Sequence, residues 1–155
     1  MRIQTLTAVT SAAGLALAVP ALADGHKGDH PEKMMAESGV KLMAELLGSN
    51  ETAGGDEDGS GMFTARLNPG SGQLCYRYEV DDIDDVSGAH IHRGGAGVDG
   101  EVVVPLEIAD NGVAEACTAV DKDFALELIN GKGEFYVNIH DDNYPNGALR
   151  GQLLK

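Results

Sequence analysis

The chain is poor in aromatic and in basic residues. Its 155 residues, the length of one domain, include no Trp, three Phe and four Tyr. Only 11 Lys and Arg stand against 25 Asp and Glu, so the formal net charge is −14. Because a chain of this charge is repelled by phosphate backbones, sequence-independent nucleic-acid binding is excluded as a main function. The body of the chain also lacks an apolar run of the about 20 residues that a transmembrane helix needs, so we expect no membrane span.

Glycine, by contrast, is abundant. Gly accounts for 21 residues, nearly twice the usual share of about 7%, and this favours turns and short strands over a helical bundle. Apolar runs and alternations predict strands at 62–67, 74–80, 89–92, 102–106, 113–119, 134–140 and 148–154. One stretch with a 3.6-residue period predicts a helix that Asp121 caps and that ends near Gly131. The predicted fold class is mainly β, an antiparallel Greek-key β-sandwich or barrel with one short helix.

The N-terminus has the pattern of an export signal. Arg2 supplies a positive charge, residues 8–19 are apolar and rich in Ala, and Ala23 ends a small-residue cleavage site. We predict a cleavable signal peptide over 1–23, a flexible linker over 24–40 and a β-domain over 41–155. The protein is then periplasmic or secreted. An uncleaved membrane anchor is the alternative, which the short stretch rich in Thr and Ala disfavours.

Three segments near the start of the domain allow more than one interpretation. Residues 34–47 fit either an interrupted helix or a first strand over 41–47. In the linker, His26 and His30 form either a weak metal-binding tail or a solvated one, and the composition favours the solvated tail. The acidic segment 50–61 lacks the spacing of an EF-hand calcium loop, so we interpret it as a solvated loop.

The predicted export of the protein determines how its two cysteines are interpreted. Cys75 and Cys117 are the only cysteines in the chain. In an oxidising compartment such a pair is most simply a disulfide. Two buried free thiols are the alternative, and the absence of a C-x-x-C spacing disfavours a cysteine metal site.

Two histidines stand two residues apart in a predicted strand. Side chains at i and i+2 of a strand project from one face, with their Cα atoms about 6.5–7 Å apart. His90 and His92 can therefore converge on one ion. The alternative is that this H-x-H pair is only surface polarity.

A third histidine, His140, shares the non-core face of the predicted strand 134–140 with Tyr136 and Asn138. If this strand pairs with 89–92, three imidazoles meet, and an all-imidazole set suits copper or zinc rather than calcium or magnesium. Metal affinity should then fall below a pH of about 6.5, because the metal needs neutral imidazole. Tyr136 and Asn138 are candidates for holding a ring in one tautomer.

Arg150 is expected to be structural or to line this site. Small residues flank it in the segment 147–151, which lets strands or loops approach closely. Asp141 and Asp142, across the adjoining turn, are candidate ion-pair partners. A solvated cation that contributes under ~1 kcal/mol is the alternative.

Four segments carry a resemblance to a known family. They are Gly88-Ala89-His90-Ile91-His92-Arg93-Gly94, Val102-Val103-Val104, Tyr136-Val137-Asn138-Ile139-His140 and Ala148-Leu149-Arg150-Gly151-Gln152-Leu153. In this order they resemble the CHRD domain, first described in chordin and common in exported bacterial proteins. The likeness covers roughly residues 41–155 and departs at 51–55, where members usually carry an E-V-P-P-like stretch. The resemblance implies an extracellular module and supplies no catalytic residues.

The layout is also similar to the copper/zinc superoxide dismutase sandwich. That family has an H-x-H strand, a later copper-binding His, an Arg near the C-terminus and an internal disulfide. The positions that match in order are His90, His92, His140, Arg150 and the pair Cys75/Cys117. No histidine lies between His92 and His140, so the bridging His and the zinc-loop ligands are missing. This similarity of architecture implies at most a copper-only, dismutase-like oxidoreductase site.

Two hypotheses of different classes follow. The first is an exported domain that binds a transition metal, copper preferred and zinc second, through His90, His92 and His140. The second is a non-catalytic extracytoplasmic interaction or structural module with an unknown protein partner, in which the histidines only form hydrogen bonds. Metal analysis of the purified protein distinguishes them.

Overall fold

A computed structural model describes residues 39–131 and 133–155 of the chain. The described residues form eight strands, one α-helix and a 3₁₀ turn at Gly48–Asn50. The strands are β1 (Val40–Leu47), β2 (Ser60–Asn68), β3 (Gln73–Asp81), β4 (Val86–Arg93), β5 (Val102–Pro105), β6 (Val113–Ala119), β7 (Phe135–Asp141) and β8 (Leu149–Gln152). Helix α1 spans Lys122–Asn130, between β6 and β7. The predicted signal peptide and the linker histidines His26 and His30 lie outside the described residues.

The strands form one curled sheet in the order β5-β4-β7-β8-β1-β2-β3-β6, and all named pairs are antiparallel. The prediction of a mainly antiparallel β fold with one helix is confirmed. The ambiguous first segment is a strand, because β1 pairs with β2 from Val40 opposite Leu67 to Leu47 opposite Ser60. The order of the sheet differs from the order of the chain, so β4 lies beside β7. The candidate site depends on this pairing.

One face of the sheet carries the apolar core. The two-residue period of a strand places alternate side chains on this face, which is why the alternation seen in the sequence predicts the core well. The core residues on β2, β3 and β7 are Phe63, Ala65, Leu67, Leu74, Tyr76, Tyr78, Val80, Phe135, Val137 and Ile139. All are at most 7% exposed, so these strands are fixed in register by burial.

Helix α1 begins and ends where the sequence predicts. The Asp121 carboxylate accepts hydrogen bonds from the backbone N–H groups of Asp123 and Phe124, and Gly131 follows the last turn. Its apolar side buries Leu128 and Ile129 against the core. Among the described residues, no helix is long and apolar enough to cross a membrane.

The other face of the sheet is covered as well, which the sequence did not indicate. Tyr136 and Asn138 lie on this face and are nevertheless only 3% and 4% exposed. Two loops, 48–59 and 94–101, lie over it, and hydrogen bonds between both loops and Arg150 hold them there. Polar residues of β4, β7 and β8 are therefore enclosed between the sheet and these loops.

The sheet has two edges, β5 and β6. Pro105 closes β5, as expected for a residue that cannot donate a ladder hydrogen bond. At the other edge, Cys117 of β6 stands directly opposite Cys75 of β3. The two are joined in a disulfide with an S–S distance of 2.07 Å.

Candidate metal centre

The three predicted histidines lie on adjacent strands and on the same face. In the antiparallel pairing of β4 with β7, Gly88 stands opposite His140 and His90 stands opposite Asn138. His90 is thus diagonal to His140 and two residues from His92, so the strand geometry brings all three rings together. The His90 ring centroid is 5.6 Å from that of His92 and 5.3 Å from that of His140.

One ring nitrogen from each histidine converges on the others. In this cluster, potential ligand atoms of His90, His92 and His140 all lie within 4.8 Å of one another. Three ring nitrogens there are buried and have no hydrogen-bond partner in residues 39–131 and 133–155: Nδ1 of His90, Nε2 of His92 and Nε2 of His140. Buried polar atoms are normally paired, so three unpaired nitrogens in one cluster are those that an ion would satisfy.

Backbone carbonyls hold two of the rings in one tautomer. Nδ1 of His92 lies 3.0 Å from the carbonyl oxygen of Gly100, and Nδ1 of His140 lies 3.1 Å from that of Pro145. A carbonyl can only accept, so each Nδ1 carries the proton and donates it. Each Nε2 is then left with its lone pair directed to the cluster, which is the arrangement that metal-ligating histidines need.

The surroundings favour neutral rings. Burial lowers the pKa of His90 from its usual range, and the nearby His140 and His92 lower it further. Burial also lowers the pKa of His140, against the opposing effect of its hydrogen bond to Pro145. Both rings therefore remain neutral to a lower pH than a free histidine does, and neutral imidazole is the form that binds a metal.

The dimensions fit a first-row transition metal after a small contraction. If all nitrogen pairs were at the 4.8 Å limit, a point equidistant from the three would lie about 2.8 Å from each, against about 2.0–2.1 Å for a zinc–imidazole bond. Each ring would therefore have to move by less than about 1 Å. Gly88 leaves space beside the rings, since a Cβ there would lie 3.4 Å from the His90 ring and 3.5 Å from the His140 ring.

Tyr136 and Asn138 lie beside the cluster, on the strand of His140. The Tyr136 ring stacks on His92 at 4.8 Å with an angle of 13° between the planes. Asn138 contacts no histidine nitrogen through a hydrogen bond among the described residues. Its amide instead donates to Glu51 and, at 3.1 Å, to the Leu149 carbonyl.

Arg150 does not pair with Asp141 or Asp142, so that expectation was wrong. The guanidinium is 1% exposed and lies over the Tyr136 ring, 3.5 Å from its centroid. It donates to the Asp99 carboxylate at 3.0 Å and to the carbonyls of Gly95 and Val98 at 2.9 and 2.7 Å. The difference arises from the direction of the side chain, because a β8 side chain on this face points at loop 94–101 and not at the turn after β7.

Glu51 is a residue of this region that the sequence analysis missed. Its carboxylate accepts a hydrogen bond from Asn138 and packs against Gly147, where a Cβ would lie 2.6 Å from it. Burial raises the pKa of Glu51 to about 7, although Arg150 acts in the opposite direction. The only signal was its position at the end of the short turn that follows β1, which is too weak to distinguish it from other loop carboxylates.

Replacing Glu51 with glutamine is expected to stabilise the protein at high pH only. A carboxyl whose pKa is higher in the folded state than its usual 4.5 contributes stability below 4.5, and that contribution is lost as the pH rises through about 7. Glutamine stays neutral and can still accept from Asn138. We therefore expect the Tm of Glu51→Gln to exceed that of the parent at pH 8 and to match it near pH 4.5.

The control is Glu57→Gln, which removes one negative charge from an exposed position in the same loop. It should show no comparable difference between the two pH values. A Glu51→Gln variant that is destabilised equally at both pH values would instead mean that the charged carboxylate supports the fold through Arg150.

Comparison with models of known protein families identifies the domain. A model of the CHRD domain matches residues 42–153, a range that contains the three histidines, both cysteines and Arg150. No curated protein matches the chain.

Proposed function

The chain belongs to the CHRD domain family, and we propose that it is an exported domain that holds one transition-metal ion through His90, His92 and His140. The observation that carries this proposal is the cluster itself, in which one potential ligand atom of each histidine lies within 4.8 Å of the others. Each of the three rings also has a buried nitrogen without a partner among the described residues. Two of the rings are already fixed by Gly100 and Pro145 in the tautomer that a metal needs.

The ligand chemistry supports copper first and zinc second. Imidazole nitrogen suits both metals, whereas calcium and magnesium prefer oxygen ligands. For a given nitrogen site, Cu²⁺ binds more tightly than Zn²⁺ by intrinsic affinity. Three protein ligands leave a further coordination position open, and no catalytic residue is part of the proposal.

Export is the second element of the proposal. CHRD domains are extracellular modules, and the Cys75–Cys117 disulfide is consistent with an oxidising compartment. Together with the predicted signal peptide and its cleavage after Ala23, this supports a periplasmic or secreted protein.

A non-metal structural or interaction module is the second candidate. The hydrogen bonds from His92 to Gly100 and from His140 to Pro145 favour it, because they link two loops to the sheet through Nδ1 alone. In that case Tyr136, Asn138 and Arg150 support loop packing only. The two candidate functions differ in whether the three free ring nitrogens bind a metal ion.

Metal titration of the full chain distinguishes the candidates. His26 and His30 are first replaced with alanine, so that weak binding by the linker does not contribute. We expect this background protein to bind one equivalent of Cu²⁺, and of Zn²⁺ less tightly, by competition with a chromophoric chelator. A further His90→Ala/His140→Ala replacement should abolish stoichiometric binding, because one imidazole alone cannot hold the ion.

The thermal stability of the same proteins provides a second measurement. A ligand that binds only the folded state raises Tm, so the metal should stabilise the background protein and not the double variant. If the background protein takes up no metal and its Tm is unchanged by either ion, the metal proposal is wrong and the structural module is the better account.

A further inference from the structure

We propose that Asp99 is a positioning residue for the metal centre. Through its ion pair with Arg150 it fixes loop 94–101, and this loop holds His92 in the tautomer that directs Nε2 at the metal. The role of the Asp99–Arg150 ion pair in metal binding rests on the proposed function. The contacts themselves involve only residues of the chain and can be tested without a metal.

Gly100 is the point at which the loop meets the site. Its carbonyl accepts the His92 Nδ1 hydrogen at 3.0 Å, and its N–H donates to the Tyr136 hydroxyl at 3.2 Å. Tyr136 in turn stacks on His92. A Cβ on Gly100 would lie 1.5 Å from the Arg93 carbonyl oxygen, so only glycine can approach β4 this closely. The position of Gly100 therefore sets both the protonated nitrogen and the plane of the His92 ring.

The loop cannot hold this position by itself. Four of its first seven residues are glycines, namely Gly94, Gly95, Gly97 and Gly100, and glycine loses more conformational freedom on ordering than any other residue. The backbone bonds Arg93 N to Glu101 O, at 3.0 Å, and Gly94 N to Glu134 O, at 2.7 Å, anchor its two ends. In the middle of the loop, the Val98 N–H donates to the Gly95 carbonyl at 3.1 Å. The other hydrogen bonds of residues 95–100 join them to partners outside the loop.

Asp99 and Arg150 supply those contacts. Arg150 reaches from β8 to the carbonyls of Gly95 and Val98 and to the Asp99 carboxylate, which is adjacent to Gly100 in the chain. The Thr52 hydroxyl lies 2.7 and 2.9 Å from the two Asp99 oxygens and joins the second loop to the same carboxylate. Asp99 is the only side chain of the loop with a partner in both neighbouring elements among the described residues. Its side chain is 71% exposed, so replacing it does not open the core.

His140 provides an internal comparison. Its Nδ1 is held by Pro145, in the turn between β7 and β8, and not by loop 94–101. A loss of the Asp99 contact should therefore change the tautomer of His92 and leave that of His140 as it is. A general loosening of the domain would change both.

The test is an Asp99→Ala variant of the full chain that already carries His26→Ala and His30→Ala. In the metal-free protein, NMR of the histidine ring nitrogens reports the tautomer of each ring. We expect His92 to change from one tautomer to a mixture and His140 to stay unchanged. The Zn²⁺ affinity, measured by chelator competition, should fall about 10- to 100-fold, the usual effect of losing a residue that orients a metal ligand.

Two further variants are controls, one for the loss of a negative charge and one for the loss of the hydrogen-bond acceptor at position 99. Glu101→Ala removes an equally negative, 74% exposed side chain at the end of the loop, one that pairs with Arg93 and not with Arg150. It should leave the His92 tautomer unchanged and the Zn²⁺ affinity within about twofold of that of the parent. Asp99→Asn keeps an oxygen that can accept from Arg150 and Thr52, and it should restore most of the parent's His92 signal.

Two outcomes would overturn the proposal. One is an Asp99→Ala protein whose His92 tautomer matches that of Glu101→Ala, whatever its Zn²⁺ affinity. The other is an equal change at His92 and His140, which would indicate a general loosening. If the parent binds no Zn²⁺, the proposed function fails separately, because the tautomer signals of the metal-free protein still decide whether Asp99 positions His92.

Discussion

Replacing Arg150 with alanine is expected to lower the free energy of unfolding by about 2–4 kcal/mol. The guanidinium is buried and donates to three oxygens, those of Asp99, Gly95 and Val98. Its removal leaves the Val98 carbonyl without a partner and the Gly95 carbonyl with only the Val98 N–H. It also leaves an empty volume beside Tyr136. Urea denaturation followed by circular dichroism measures the loss.

Arg150→Lys should recover only part of this stability. One ammonium group keeps the positive charge, but it lacks the planar fork that serves several acceptors at once. Arg66→Ala is the matched control, because the Arg66 side chain makes a single hydrogen bond within the described part of the chain, to the Gly39 carbonyl at 3.2 Å. We expect that variant to lose about 1 kcal/mol or less. An Arg150→Ala protein no less stable than Arg66→Ala would mean that Arg150 is a replaceable surface cation.

The strands and the histidine cluster were predictable for the same physical reason. The period-two alternation of a strand determines which side chains share a face. It therefore predicted that His90 shares a face with His92, and that His140 shares a face with Tyr136. The pairing of β4 with β7 was the one non-local assumption, and the structure bears it out. Where the prediction depended on local geometry and one pairing, it agreed with the structure.

Contacts made through loops could not be derived in this way. The partner of Arg150 is Asp99, 51 positions earlier in the chain, and it is reached only because loop 94–101 folds back over the outer face. The residue spacing of a glycine-rich segment does not predict which surface the segment will contact. The same absence of periodicity hid Glu51 and made the non-core face of β7 look half exposed. The residues around the three histidines were therefore less predictable than the histidine cluster itself.

Removing the Cys75–Cys117 bond is expected to be the other large effect, a loss of about 2–5 kcal/mol in the free energy of unfolding, as is typical when small secreted domains lose a native disulfide. The bond joins residues 42 positions apart and so restricts the unfolded chain. In the folded state it fastens β6, an edge strand that pairs with β3 alone. The double variant Cys75→Ala/Cys117→Ala should therefore unfold at a lower urea concentration, and the amides of β6 should exchange with solvent faster than those of β7.

The measurement needs the redox state of the parent as its control. Thiol titration of the denatured, unreduced protein should find no reactive thiol, and reduction should then release two. A parent with two reactive thiols would show that the bond does not form. If the bond forms and the double variant is as stable as the parent, β3 pairing alone holds the edge strand. Faster exchange confined to β6 would support the specific role, because the covalent link acts at that edge, whereas the histidine cluster and Arg150 lie on β4, β7 and β8.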